Sequence, residues 1–421
     1  MRQALVFLLG ASAAAAEVAV TPATVRGWAG HELGNGVITA GVVPSLGGRV
    51  MGFRLGDHEY MWVDQTLAGK AIAVDYTREN PQCWAGGART WLAPQERWTV
   101  DGTAWPPAPT LDYGPWTAEP LIVAGGAGLT TASAVEPDRR WNAAGMRLER
   151  RLRLLPGTSR LAVEHVLINA SDRHQAWAPW SNVQLAASWG STWVWFPVRQ
   201  VGRYAPNGFM WYGDPGWAVG QARPCPGEGI AGVQYLNREG KLGADAPLGW
   251  TCLVDRGWAF ARRFVIDAKK PYAENGNTVA VYTSGTGSML EFEAMGPISE
   301  MPPGAQAVFS ETWAAARVGD GPVRGVVEAG VVLRPLTAGV GGDAGRVVGS
   351  FGVFDRGEVV LRLHRANVPD RELWRSAVSP LAALELDVRA EFTGDSLSLV
   401  VLAGGQTREL DRQDLPTWVR R

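Results

Sequence analysis

Apolar and polar residues alternate with a period of two along most of the chain. Met146–Leu154 reads M-R-L-E-R-R-L-R-L, and after it Leu161, Val163, His165 and Leu167 alternate with Ala162, Glu164, Val166 and Ile168. The same pattern recurs at Val37–Val43, Arg49–Leu55, Thr192–Val198, Met289–Met295 and Leu384–Ala390. Successive side chains of a strand point to opposite faces, so this alternation predicts half-buried or fully buried antiparallel strands. Glycine and proline punctuate it at Pro156–Gly157, Pro215–Gly216 and Pro303–Gly304, as turns between short strands require. No long amphipathic helix is expected. The pattern predicts an all-β chain, a large antiparallel β-sandwich, rather than an α/β enzyme.

A boundary is expected near Val318–Pro322, after the strand that carries Glu311 and Trp313. It divides a main domain, 17–318, from a small C-terminal β domain, 322–421, with its own strands at Val359–Leu363, Leu384–Ala390 and Ser396–Leu402. At the other end, Arg2, the apolar stretch from Ala4 to Leu9, and the small residues Ala14 and Ala16 read as a secretory signal cleaved near Ala16–Glu17. Export to the periplasm or beyond is therefore expected. No later run reaches the roughly 18 apolar residues of a membrane-spanning helix, so membrane insertion is not expected.

Charge changes the picture by exclusion. A net charge of -1, with both signs well mixed, lacks the basic surface a nucleic-acid partner needs. Lysine is scarce: of 40 basic residues only Lys70, Lys241, Lys269 and Lys270 are lysines. Cys83, Cys225 and Cys252 form no metal-type spacing; in an oxidising compartment Cys225–Cys252 is the expected bridge, with the odd cysteine buried. His31, His58, His165, His174 and His364 are scattered, and no metal or cofactor is expected. The loop Gly339–Ala344 fits a dinucleotide fingerprint only nominally, with no βαβ frame around it.

Tryptophan is the unusual residue: the chain has 20, and thirteen fall between Trp84 and Trp217. Indole rings fill β cores, and they also stack on the C–H faces of sugars while their N–H groups donate at the rim. More than half are expected in the core, and a handful at a site. Three segments carry the candidate chemistry. The stretch Gly86–Trp98 sets Arg89, Trp91, Glu96 and Trp98 after a tight glycine turn, and Trp105–Pro109 with Asp112 and Tyr113 continues it as a rigid aromatic loop. Arginine can fork onto vicinal hydroxyls or a carboxylate. The alternative is a crossover that packs its tryptophans inward. On Met289–Met295, Glu291 and Glu293 share one strand face, suited to hydroxyl binding or general-base work, or else to a solvated surface. In Trp177–Gln184, rings alternate with hydrogen-bonding side chains, Trp180 and Asn182 among them.

Together these elements resemble the galactose-mutarotase-like superfamily. The matching residues are Asn35-Gly36-Val37, then Pro44-Ser45-Leu46-Gly47-Gly48-Arg49-Val50, the Gly86–Gly87 turn with Trp91 and Pro94, Asn169–Asp172 leading to Trp180-Ser181-Asn182, and Glu291-Phe292-Glu293 with Glu311-Thr312-Trp313. The likeness spans roughly residues 30 to 316 and is similar to an uncharacterised secreted bacterial family, the DUF4380 type. The resemblance implies a sugar site on the concave face of the sandwich, with Arg49 among its binding residues. It also implies a glutamate base, at Glu293 or Glu291, opposite a histidine acid. Trp180-Ser181-Asn182 occupies the histidine's place, and the nearest histidine, His174, lies in the preceding turn. The first expectation is therefore an exported carbohydrate-binding protein. The second is an epimerase- or lyase-like enzyme using Glu293 as base with Glu96, Arg89 or Tyr113. A structural β protein without a site is the third.

Overall fold

A computed structural model describes residues 18–75, 84–213, 221–225, 228–339 and 345–415. The leader, Cys83, Pro215–Gly216 and most of the Gly339–Ala344 loop lie outside them.

The all-β expectation holds. One 12-stranded sheet runs, in spatial order, through Ala19–Val25, Trp28–Gly34, Ile38–Val43, Arg49–Leu55, Ala88–Ala93, Gln175–Ala186, Met289–Met295, Val279–Thr283, Gly240–Ala244 and Met210–Trp211, with two short strands off this path. A 10-stranded sheet packs against it and is centred on Trp258–Phe264, Gln306–Arg317, Arg160–Asn169 and Met146–Leu154. Neighbours pair antiparallel throughout both. Beyond Gly325 the chain forms two further four-stranded sheets.

The core between the large sheets is built by the alternation read from sequence. On Met146–Leu154 every second residue is buried. Phe53, Leu152, Val163, Phe260, Phe292 and Trp313 meet at its centre. Met289–Met295 departs from that rule, because all seven of its residues are buried. Leu290, Phe292 and Ala294 enter the inter-sheet core, while on the opposite face Arg89, Trp180 and Lys241 close over Glu291 and Glu293, and Trp98 and Leu111 cluster with Met295. That covering brings a second apolar cluster, in which Trp91, Trp98, Trp116, Trp141, Trp177 and Trp180 pack with Met295 and Leu111. Most tryptophans of the rich stretch thus fill the interior, and a solvated surface for the glutamates is excluded.

The expected disulfide is not formed. Cys225 and Cys252 are both free thiols. Their strands, Ala222–Cys225 and Trp250–Asp255, are separated in the sheet by Ile230–Gln234 and Trp193–Pro197. Three inter-strand steps of about 4.8 Å put them near 14 Å apart, twice the reach of a disulfide. Among the described residues, no helix is long and apolar enough to cross a membrane.

Candidate functional site

The strand register brings the distant candidates onto one face. Directly opposed residues of neighbouring strands point the same way. Arg89 faces Asn182, and Asn182 faces Glu293. In the row beside it, Trp91, Trp180 and Met295 align. On the other side Gln184, Glu291, Tyr282 and Lys241 form a third row. The Gly86–Gly87 turn makes the approach possible, since both take positive φ, +104° and +71°. A Cβ at Gly86 would stand 2.6 Å from Val63 Cα, and one at Gly87 2.7 Å from Val50 O. Only glycine fits there.

Glu293 is the centre of the arrangement. Its Oε2 accepts from Trp180 Nε1 at 3.1 Å, and its Oε1 accepts from Asn182 Nδ2 at 3.4 Å. Lys241 Nζ lies 3.0 Å from the same Oε1 and 4.5 Å from the centre of the Trp180 ring, a cation–π contact. Trp180 and Asn182 therefore contact the candidate base as hydrogen-bond donors that do not titrate near neutral pH. Glu291, one pair along, accepts from Arg89 Nη2 at 3.0 Å and Gln184 Nε2 at 2.9 Å.

The two carboxyl groups are driven apart in acidity. Burial pushes Glu293 up to about 7, Lys241 opposing the rise and the neighbouring Glu291, hydrogen-bonded to it, adding to it. Burial alone would raise Glu291 too, but Arg89, Lys241 and the Gln184 amide outweigh it and hold that group below its ordinary value. A pair split in this way can hold one proton near neutral pH, which is the arrangement general acid–base sites use. The Oδ1 of Asn182 and Oε1 of Gln184 are buried acceptors without a hydrogen-bond partner among the described residues.

Both arginines expected to bind ligand are engaged within the chain. Arg89 joins Glu291 to Asp112, whose Oδ1 is 3.8 Å from Nη1, and its guanidinium lies 3.9 Å from the Trp91 ring centre. Arg49, fully buried, holds the other Asp112 oxygen at 3.2 Å and donates to Gly86 O at 3.0 Å. Asp112 also accepts from Trp91 Nε1 at 2.8 Å. Arg49, Arg89 and Trp91 thus position the face around Asp112, instead of offering free forks to a ligand. Trp98 packs edge-on against Trp91 at 5.2 Å and donates its indole N–H to Leu92 O. Tyr113 lies in a separate apolar cluster with Val25, Trp28 and Leu46, its hydroxyl bonded to the Asp75 backbone. Glu96 is exposed on the 3-10 turn Gln95–Arg97, and among the described residues no contact joins it to the carboxylate pair.

The concave-face sugar site that the resemblance implies is not open to solvent at these residues. Glu293 and Trp180 are 0% exposed and Glu291 4%. What reaches solvent is a rim above them. Trp105, 36% exposed, stacks on the half-buried Trp84 at 5.9 Å, and Trp84 adjoins Tyr282 at 6.4 Å. Tyr282 donates to Glu239 at 3.0 Å and opposes Lys241 across the strand pair. Lys241, Tyr282 and Trp84 were not singled out from sequence. The scarcity of lysine was the one signal available for Lys241.

Directly behind this face lies a buried polar network that sequence reading also missed. His165 joins Thr90 Oγ1 at 2.7 Å to Glu311 Oε1 at 2.8 Å, and Ser181 donates to the same Glu311 oxygen at 2.6 Å. Arg262 pairs with the other oxygen at 2.6 Å, and Arg150 donates to Thr90 at 2.8 Å. Thr90 and Ser181 are the strand neighbours of Arg89, Trp91, Trp180 and Asn182, so the network ties the candidate face to the second sheet. Burial raises Glu311, but Arg262, His165 and Ser181 together hold it down to about 2.

Among the described residues no group of His, Cys, Asp and Glu is placed to hold a metal ion. No family model matches the chain, and no curated protein does. Solved structures do match. The chain is similar to galactose-mutarotase-like structures. One, from Clostridium acetobutylicum, shares 10% identity at a TM-score of 0.46, over 72% of this chain and 99% of that one. A galactose mutarotase-related enzyme from Lactobacillus acidophilus shares 11% at 0.45, over 68% and 96%. The Slr1438 protein of Synechocystis sp. PCC 6803 shares 13% at 0.47, over 67% and 92%.

Proposed function

We propose that the chain is an exported carbohydrate-binding protein whose ligand lies on the rim formed by Trp105, Trp84, Tyr282 and Lys241. The observation that carries this reading is the exposed Trp105 stacked on the half-buried Trp84, set beside the Lys241–Glu293 ion pair. Indole faces offer a flat apolar surface to sugar C–H groups, and an ammonium donates to ring hydroxyls at its edge. Arg49, Arg89, Trp91, Trp98 and Asp112 hold these groups in place, which keeps the ordering cost of binding small. Isothermal titration of the full chain with neutral and acidic monosaccharides tests this. Binding that disappears in Trp105→Ala supports it, and binding indifferent to that change refutes it.

A second reading, an aldose epimerase- or lyase-like enzyme, is favoured by the opposed shifts of Glu291 and Glu293. In it Glu293 takes or gives a proton at a sugar carbon or anomeric hydroxyl, while ionised Glu291 keeps that proton near neutral pH. With no histidine at Trp180–Asn182, Lys241 is the nearest second proton donor. NMR of a freshly dissolved hexose anomer separates the readings. Anomer exchange accelerated by the wild type and not by Glu293→Gln supports the enzyme, whereas an unchanged rate leaves binding alone.

A further inference from the structure

We infer that the outer face of the 10-stranded sheet carries a second binding site, for a small organic oxyanion with an apolar body, where the C-terminal sheets meet the main sandwich. It is separate from the Glu293 face and does not depend on that proposal.

Register creates the hollow. Arg263 opposes Thr312, Thr312 opposes Ala162, and Ala162 opposes Arg153. In the next row Ala261 opposes Ala314, and Ala314 opposes Arg160. Four small side chains therefore stand side by side on neighbouring strands, flanked by long arginines. Ala261 and Ala314 are covered by the apolar cluster of Phe354, Val326 and Val331, whereas Ala162 and Thr312 keep part of their surface open. Phe354, Leu155 and Val123 wall the depression, and Glu328 and Arg408 approach from the C-terminal sheets, leaving a cavity of about 420 Å³. That volume is in the range of small-ligand sites.

Three of the four arginines are satisfied. Arg153 holds Glu164 through two nitrogens at 2.6 and 3.0 Å. Arg160 pairs with Asp355 at 2.7 Å and donates to Glu328 O at 2.8 Å. Arg408 pairs with Glu328 at 2.8 Å. Arg263 is different: it is half-buried and has no hydrogen-bond or ion-pair partner among the described residues. The nearest acid to act on it is Glu328, which Arg408 already engages. A guanidinium fork facing a partly apolar cavity matches a planar carboxylate, whose two oxygens it can hold at once. Ala162, Leu155 and Val123, which keep open surface in the hollow, then suit an apolar or aromatic body.

Benzoate is the probe, with benzamide as its neutral isostere, titrated calorimetrically into the full chain at low ionic strength. Benzoate should bind and benzamide should not. Arg263→Gln should weaken benzoate at least tenfold, and so should Ala162→Leu, which fills the floor without touching a charge. Both variants should keep the wild-type melting temperature to within a few degrees. Glu293→Gln should leave benzoate binding unchanged, which separates this site from the Glu293 face. Failure of benzoate to bind the folded chain, equal binding of benzamide, or wild-type affinity in both variants would each overturn the inference.

Discussion

Lys241 Nζ stands 3.0 Å from Oε1 of Glu293, and of the two it is Lys241 that reaches solvent, 21% exposed against 0%. The lysine is thus both the cap on a buried carboxyl group and the polar end of the aromatic rim. Anything that binds the rim touches the group that opposes the effect of burial on Glu293.

Replacing this lysine should shift the acid beneath it. Lys241 opposes the upward push of burial on Glu293, so Lys241→Met should move the Glu293 titration higher than in the wild type. Carbon-13 NMR of labelled glutamate carboxyls reads this directly. An unchanged or lower midpoint would show that the pair does not exist in solution.

The same group makes stability depend on pH with a definite sign. Glu293 is raised in the folded state from 4.5 to about 7. The stability it contributes by keeping its proton is complete below the unfolded value, and is lost as pH rises through the folded one. The loss is on the order of 3 kcal/mol across that window. Glu293→Gln mimics the protonated acid and should not show it. His165 works the other way, since burial lowers it and protonation at falling pH costs stability. Urea unfolding of variant and wild type from pH 5 to 8 cancels His165 and isolates Glu293. The variant should gain on the wild type as pH rises, and parallel curves would contradict the assignment.

The network behind the face should matter more for stability than any group on the rim. Glu311→Gln removes the negative charge and one of the two acceptor oxygens that Arg262, His165 and Ser181 use, leaving a buried guanidinium without its counter-charge. Breaking such a pair costs about 3–5 kcal/mol. Because Glu311 is held down to about 2, its contribution should persist above the usual carboxylate range and fall away only as pH drops towards that value. Chemical denaturation across acid pH measures both effects.

Much of this was legible in the chain before folding. Alternation at Met146–Leu154 and Arg160–Asn169 reports which faces are buried, because a strand with one wet side has a period of two. It also placed Glu291 and Glu293 on a common face. Alternation cannot show that a strand is covered twice, so the enclosure of that face by Arg89, Trp180 and Lys241 was hidden. Nor can it show which arginines are already engaged: Arg49 and Arg89 looked free until Asp112 was placed between them. Glu96 failed because a surface turn and a binding loop share the same composition. Polar residues at inward positions, His165 and Glu311, were the visible trace of the network, and register was needed to join them. The Cys225–Cys252 pairing failed for the same reason, since sequence proximity says nothing of the two strands between them.

Export is open to a simple check. If the leader is cleaved as its small residues indicate, mass spectrometry of the secreted protein should find Glu17 at its N-terminus. Recovery of the chain from the cytoplasm with Met1 or Arg2 retained would contradict it.

Saturation-transfer NMR with hexoses and hexuronates on the full chain goes to the heart of the proposed function. At least one sugar should receive magnetisation through its C–H face, and the transfer should vanish in Trp105→Ala, a change that leaves Glu293, Asp112 and the inter-sheet core intact. No transfer to any sugar, or equal transfer in the variant, would mean that the rim of Trp105, Trp84 and Lys241 is not where a carbohydrate binds.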